Sequence, residues 1–364
     1  MIVDPGMERA ARLIDRAADQ GVFPGAEALV NASGERLLHY QTGYAALVPE
    51  PETVGEKILW DIASLTKVVA SATAFMLLVD EGSLDLDATL GQILGIQGDL
   101  AGVTVAHLLS HSSGLRDWAP FYKDWKDDHA AFLNALRRKL RKEKIAFVPG
   151  KGQAYSDLGF IILHEVLERV TGSGFDAFCR KRIFDPLGMK DTFFVPLEAG
   201  KPRQESQRSF AATENCPWRG RVLRGEVHDE NAWACGGVAA HSGLFSNALD
   251  LERFALALLD CRHGRSDAIS PGTLARFWSR GADAPDSGKC LGWDTPSPVD
   301  SASGRFFGKG SVGHLGFTGT SLWIDVDRQI VVILLSNRVH PSRDNEEIKR
   351  FRPAFHDAVM EALS

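Results

Sequence analysis

Ser64 and Lys67 stand three residues apart at the head of a long apolar-periodic run, Leu65 to Val79, just after a short strand-like run, Lys57 to Trp60. Residues three apart on a helix share a face, so a hydroxyl and an amine can meet there. A serine is a poor nucleophile until a neighbouring base takes its proton. A lysine can be that base where burial or nearby charge lowers its pKa. An ordinary helix start, with the serine as cap and the lysine in solvent, has the same spelling. Two distant stretches decide between these readings. Tyr155-Ser156-Asp157 follows a loop containing Pro149, Gly150 and Gly152 and enters an apolar helix near Leu158. Ser156 or Asp157 suits the cap of that helix, and Tyr155 by itself reads as a packing aromatic. Gly313 to Ser321 leads into the strand Leu322-Trp323-Ile324. Glycines in a strand pattern mark a close approach of backbone or ligand. A backbone N–H there, paired with that of Ser64, could hold an oxyanion.

Taken together, Ser64-Leu65-Thr66-Lys67, Tyr155-Ser156-Asp157 and His314-Leu315-Gly316 resemble the three motifs of the class C β-lactamase-like serine hydrolases. That superfamily also holds D-alanyl-D-alanine carboxypeptidases, D-aminopeptidases and bacterial esterases. The phrases Leu108 to Leu115, Gly236-Gly237-Val238-Ala239 and Ser242 to Ser246 look similar too. The resemblance runs from Pro24 to Asn337. It implies that Ser64 is the acylated nucleophile, Lys67 its hydrogen-bonded partner and Tyr155 a proton shuttle. It also implies an oxyanion hole from the N–H groups of Ser64 and Phe317, and substrate contacts from Asp157, His314 and Gly316. The acyl-enzyme would be resolved by water, with no cofactor and no metal. Which of Lys67 and Tyr155 is the base stays open.

Two departures from the pattern bear on substrate. Asparagine usually stands where this chain has Asp157, and lysine where it has His314. An ionised Asp157 only accepts hydrogen bonds; it should hold Lys67 charged and shift the base role toward Tyr155. His314 is largely neutral near pH 7, so recognition of a substrate carboxylate should weaken. The expectation is an esterase or amidase acting on small acyl substrates. The alternatives are a D-alanyl-D-alanine carboxypeptidase, D-aminopeptidase or β-lactamase, and a catalytically weak penicillin-binding-like sensor. The expected partner is a small ester, amide or peptide.

The elements that must position these groups follow from hydrophobic periodicity. Helices are expected at Met7 to Gln20, Ala130 to Lys142, Leu158 to Val170, Phe175 to Ile183, Leu249 to Leu259 and Asn345 to Leu363. Strands are expected at Gly25 to Val30, Glu35 to Thr42, Thr320 to Val326 and Gln329 to Ser336. Neither strand set makes a comfortable core alone. Pairing them gives an α+β fold: one antiparallel sheet, flanked by the N- and C-terminal helices, and a mainly helical second lobe. Residues 1–62 and 290–364 would form the α/β lobe and 63–289 the helical lobe of a single catalytic domain, with Ser64 where the chain passes between them.

A formal net charge of −6 provides no broad basic surface for nucleic acid. The cluster Arg137, Arg138, Lys139, Arg141, Lys142 and Lys144 reads as a solvated helix face. Five scattered cysteines without C-x-x-C spacing argue against a zinc site or a disulfide framework. His228, Asp229, Glu230 and His241 fit no zinc signature and read as a loop walling the cleft; His107 and His111 read as packing or loop-fixing residues. Trp118, Tyr122 and Trp125 serve equally as cleft rim or helix cover. No apolar run is long enough for a membrane span. The N-terminus lacks the apolar core of a signal peptide, so a cytoplasmic location is expected unless a leader has been removed. Oligomeric state is not readable.

Overall fold

The computed structural model describes residues 1–198, 201–202, 208–281 and 289–364. The elements that frame the site are β1 (Ile2–Val3), α1 (Glu8–Asp19), β2 (Gly25–Ala32), β3 (Glu35–Ala46), β4 (Ile58–Asp61), α2 (Thr73–Asp80), α3 (His129–Leu140), α4 (Asp157–Thr171), β5 (Leu244–Ser246), α5 (Ala248–Arg262), β6 (Val312–Leu315), β7 (Ser321–Asp325), β8 (Ile330–Ser336) and α6 (Ile348–Ala362).

The strands from the two ends of the chain pair directly. β2 runs antiparallel to β8, from Ala26 opposite Ser336 to Ala32 opposite Ile330. The main sheet has the order β1-β3-β2-β8-β7-β6, with Glu52–Thr53 added on β3, and every pairing is antiparallel. The expected α+β architecture is therefore present. Its reason is visible in β8, where successive side chains point to opposite faces. Ile330, Val332 and Leu334 enter the core under α1 and α6, with Ile14, Phe355 and Val359. Val331, Ile333 and Leu335 enter the larger core on the other face, with Phe254 of α5 and the apolar residues of α2 and α4. A strand buried on both faces reads as a continuous apolar run, as Ile330 to Leu335 does.

The periodicity hid β6, as it did the two-residue strands Ile2–Val3 and Glu52–Thr53. The sequence reads there as a glycine-rich approach to a strand, but Val312–Leu315 is itself the edge strand, paired with β7. Its disguise is Gly313. A Cβ at that position would lie 2.5 Å from the Leu322 carbonyl oxygen and against the indole of Trp323, so the position must be glycine although it is strand.

The basic cluster at the end of α3 and just beyond it does face outward, and three of its members are paired. Arg137 meets Glu168 and Arg141 meets Glu165, both on α4, while Lys139 lies 2.8 Å from Asp124. The sequence is rich in Gly, Pro and Ser from Asp283 to Gly310, which suggests loop or weak hairpin, and is polar and irregular from Val195 to Arg224; part of each stretch falls outside the described residues. All five cysteines are buried and unbridged. No described helix is long and apolar enough to cross a membrane.

Two stability tests follow. Ile333→Ala removes a fully buried side chain from the larger core; we expect a loss of about 2–5 kcal/mol, read as a shift in urea midpoint at constant slope. Burial raises the pKa of Glu168, but His164 and Arg137 overcome it and bring the carboxyl down to about 2. A depressed carboxylate contributes stability above its unfolded pKa of about 4.3, and that contribution is lost as pH falls toward the folded value. Glu168→Gln should therefore flatten the pH dependence of Tm between about pH 4.3 and about 2.

Candidate active site

The site begins at the turn between β4 and the helix that follows. Ala63 has a φ of 47°, unusual for a residue other than glycine. Its N–H donates to Asp61 Oδ1 at 2.9 Å. Ser64 comes next, and a π-helical stretch, Lys67–Ala72, runs on into α2. No side chain caps this helix, so the Ser64 hydroxyl is not consumed as a cap. It accepts instead from Lys67 Nζ at 3.0 Å.

Lys67 is completely buried. Its ammonium also donates to the His241 carbonyl at 2.9 Å and lies 2.7 Å from Asp157 Oδ1. The carboxylate contact is close but lies off hydrogen-bond alignment. Burial acts to lower the lysine pKa, yet Asp157 and the Tyr155 hydroxyl outweigh it and hold the amine well above its usual range. The expected Lys67–Asp157 pairing is thus formed in space.

Tyr155 and Asp157 are fixed by the entrance to α4. The Ser156 hydroxyl accepts from Gly159 N–H at 3.2 Å as the N-cap and donates to the Arg116 carbonyl at 2.6 Å. Ser156 N–H donates to His111 Nδ1 at 2.9 Å, and Asp157 N–H to the Asp117 carbonyl at 2.9 Å. His111 is accordingly a loop-fixing residue, and its ring also lies against Tyr155 at 4.5 Å. Tyr155 is 38% exposed and lines the cleft with Ser64, and Lys67 Nζ lies 5.0 Å from the centre of its ring. Burial of the hydroxyl end raises its pKa; Lys67 opposes this without reversing it. Asp157 raises the pKa of both groups: it stabilises the ammonium and repels a phenolate.

Asp61 ties the remaining loops to this turn. Its buried carboxylate accepts from His228 N–H at 2.7 Å as well as from Ala63, and its carbonyl accepts from Thr318 Oγ1 at 2.7 Å. The Ile62 carbonyl accepts from Thr320 Oγ1 at 3.1 Å. These bonds press the turn at residues 316–320 against the turn before Ser64. Gly316 is required there, since a Cβ would lie 2.6 Å from the Ile62 oxygen. Among the described residues, neither the Ser64 nor the Phe317 N–H donates to a protein acceptor. Both residues line a cleft of about 490 Å³ shared with Tyr155, Asp157, Trp118, Gly316, Arg338 and Arg352.

His314 lies elsewhere. It is 3% exposed, sits 5.9 Å from the Tyr155 ring and does not line the cleft. Its Nδ1–H donates to the Leu315 carbonyl at 2.8 Å, and burial, opposed by Asp294, brings its pKa down to about 4. The imidazole is neutral at pH 7 as expected, but it backs Tyr155 and leaves Leu315, Gly316 and Phe317 to face the cleft.

His228, Asp229, Glu230 and His241 do wall the cleft. Asp229 caps a short helix through Ala232 N–H at 2.7 Å and holds His241 Nε2 at 3.0 Å, while Glu230 pairs with Arg343 at 2.6 Å. Among the described residues, no group of three or more His, Cys, Asp or Glu could hold a metal ion. Trp118 is at the rim, 39% exposed, whereas Trp125 packs edge-on against Trp233 and Tyr122 against Trp218. Sequence reasoning missed Asp61, Arg338 and Arg352. Asp61 lies just ahead of the first motif, but beyond Ala63 its partners are 167 and 257 residues away, and no local signal marks them.

A serine bonded to a buried lysine beside a tyrosine, between an antiparallel sheet and a helical region, is the arrangement that the resemblance to β-lactamase/transpeptidase-like hydrolases implies. The β-lactamase family model matches residues 10–354. An N-acetylmuramyl-L-alanine amidase of Bacillus subtilis is 30% identical, over 94% of this chain and 83% of its own. A putative D-alanyl-D-alanine carboxypeptidase of Escherichia coli O157:H7 is 28% identical, over 90% and 81%. A penicillin-binding protein homologue from Caulobacter crescentus superposes with a TM-score of 0.75 at 19% identity, over 100% of this chain and 99% of that one. The chain belongs to the β-lactamase family and is a serine hydrolase of that family.

The site predicts its own titration. Asp157→Asn removes the main charge that raises Lys67. The lysine should then titrate at lower pH than in the native protein, read from the Cε chemical shift of labelled lysine. An unchanged titration would show that the pair does not govern the ammonium.

Proposed function

We propose that this protein hydrolyses an amide or ester of a small acyl group through an acyl-enzyme on Ser64. The observation that carries this reading is the buried Lys67 ammonium, which joins the Ser64 hydroxyl at 3.0 Å to the Asp157 carboxylate at 2.7 Å. A serine with its proton path already assembled is the signature of nucleophilic catalysis.

Lys67 in the resting site carries its full set of protons. To take the Ser64 proton it must pass one to Asp157, which its position allows. As the Oγ–carbonyl bond forms, the carbonyl π pair moves onto oxygen, facing the Ser64 and Phe317 N–H groups. Such preorganised donors lower the barrier by roughly 3–4 kcal/mol. Collapse of the tetrahedral species breaks the bond to the leaving amine or alcohol, which takes the Tyr155 hydroxyl proton. The proton on Asp157 returns through Lys67 to the phenolate. Water then repeats the sequence on the acyl-enzyme and releases the acid.

Amides of amino acids are the first substrates to try, because the Bacillus subtilis relative is named as an amidase of that kind. The retreat of His314 from the cleft supports a substrate that needs no lysine-like cation at that position. The carboxypeptidase reading rests on the names of other relatives.

The test is a substrate panel with mass spectrometry of Ser64: N-acetylmuramyl-L-alanine, a p-nitrophenyl acyl ester, a D-Ala-D-Ala peptide and a chromogenic cephalosporin. Turnover of the amide or ester, with loss of about 10³-fold or more in Ser64→Ala, is expected. Activity that persists in Ser64→Ala would sink the mechanism. Faster turnover of the peptide or cephalosporin would replace the substrate assignment, and an adduct that never hydrolyses would make the protein a sensor.

A further inference from the structure

Arg352 is a buried cation that the chemistry above does not use. It lies in the first turns of α6, is 6% exposed and lines the cleft. Its Nη2 donates to the carbonyl of Gly316 at 2.6 Å and to that of Thr320 at 2.8 Å, while its Nε has no partner. Among the described residues no carboxylate lies within 4.0 Å of it. Burial and the neighbouring Arg338 push its pKa down to about 9, still above neutrality, so the group is charged in use.

An unneutralised buried guanidinium is costly, and ending on two carbonyls of one turn is an odd use of it unless the turn needs the charge. Gly316 C=O and Phe317 N–H belong to the same peptide unit. A donor at the oxygen of a peptide polarises the unit and strengthens its N–H as a donor, because chains of hydrogen bonds reinforce one another in a low-dielectric interior. Arg338 acts on the next peptide: its Nε donates to the Phe317 carbonyl at 2.8 Å, and its guanidinium lies 4.3 Å from the Phe317 ring.

We propose that Arg352 is a positioning residue that strengthens the oxyanion site, by polarising the Gly316–Phe317 peptide and placing a fixed positive charge behind its N–H. This deepens the assignment of Phe317 above and rests on it. During acylation the negative charge appears on the substrate oxygen only as the Ser64 Oγ–carbon bond forms. A charge fixed beforehand then favours the transition state over bound substrate.

The experiment compares Arg352→Gln, which can still donate to the Gly316 carbonyl but carries no charge, with Arg352→Lys, which keeps the charge. The substrate is the best of the panel above, and kcat and KM are measured separately. Circular dichroism and Tm confirm folding of each variant. Arg338→Gln, on the adjoining peptide, gives a second reading should Arg352→Gln fail to fold. We expect kcat to fall about 10–100-fold in Arg352→Gln with KM nearly unchanged, and Arg352→Lys to recover most of it. The affinity of a boronic acid that forms a tetrahedral adduct on Ser64 should fall in parallel. Should Arg352→Gln be unfolded, Arg338→Gln is expected to lower kcat in the same selective way, and native kcat there would overturn the proposal. A folded Arg352→Gln with native kcat, or one that changes only KM, would likewise overturn it. Ser64→Ala retaining activity would instead overturn the acyl-enzyme reading itself, so the two failures are distinguishable.

Discussion

A lysine ammonium with no exposed surface is the constraint on which this site depends. Desolvating such a charge costs several kcal/mol unless partners replace water. Three partners do so: the Asp157 carboxylate, the Ser64 hydroxyl and the His241 carbonyl. They come from three distant parts of the chain. Satisfying the lysine therefore requires the start of α4, the turn after β4 and the segment before β5 to meet at one point. The catalytic assembly and the packing of the helical region onto the sheet are one requirement, met by one charge.

The second organiser is Asp61, and it works by accepting. Its carboxylate takes the N–H groups of Ala63 and His228 while its carbonyl takes the Thr318 hydroxyl. Burial raises its pKa, and the two backbone donors pull the other way. The left-handed Ala63 stores strain, which is tolerated where surrounding structure fixes the conformation. Here that structure is the Asp61 side chain one turn back. The result aims the Ser64 hydroxyl at Lys67, while its N–H donates to no described protein acceptor.

Much of this was legible before any coordinates. The pairing of the first strands with the last followed from two strand sets that could not form cores alone, and β2 against β8 is that pairing. The meeting of Ser64, Lys67, Tyr155 and Asp157 followed from their motifs. What stayed hidden depends on contacts that no local pattern marks. β6 was hidden because Gly313 makes room for Trp323. Asp61 looked like a residue ahead of a motif, because its partners lie far along the chain. His314 was placed correctly in its motif and neutral as expected, but its side chain turns behind Tyr155, a choice set by the Leu315 carbonyl and the packing around Asp294. Arg352 sits in an amphipathic helix where an arginine ordinarily means solvent.

These hidden residues explain why the two departures from the usual motifs occur together. Where asparagine and lysine occupy the second and third motifs, the site carries two lysine charges and no carboxylate between them. In this chain Asp157 neutralises Lys67 at 2.7 Å, and the third motif supplies a neutral imidazole. The motif residues alone would leave the oxyanion region without net positive charge. Arg338 and Arg352 supply it from the other side, through the carbonyls of Phe317 and Gly316. In this chain positive charge stands at the carbonyls of the turn that follows β6. A charge behind the peptide acts on the oxygen that develops in the reaction. A charge in front acts on whatever carboxylate the substrate brings. On the proposed oxyanion role of Phe317, charge at those carbonyls would stabilise the tetrahedral species without calling for an anionic substrate, which is the electrostatic requirement of the amide or ester hydrolysis proposed above.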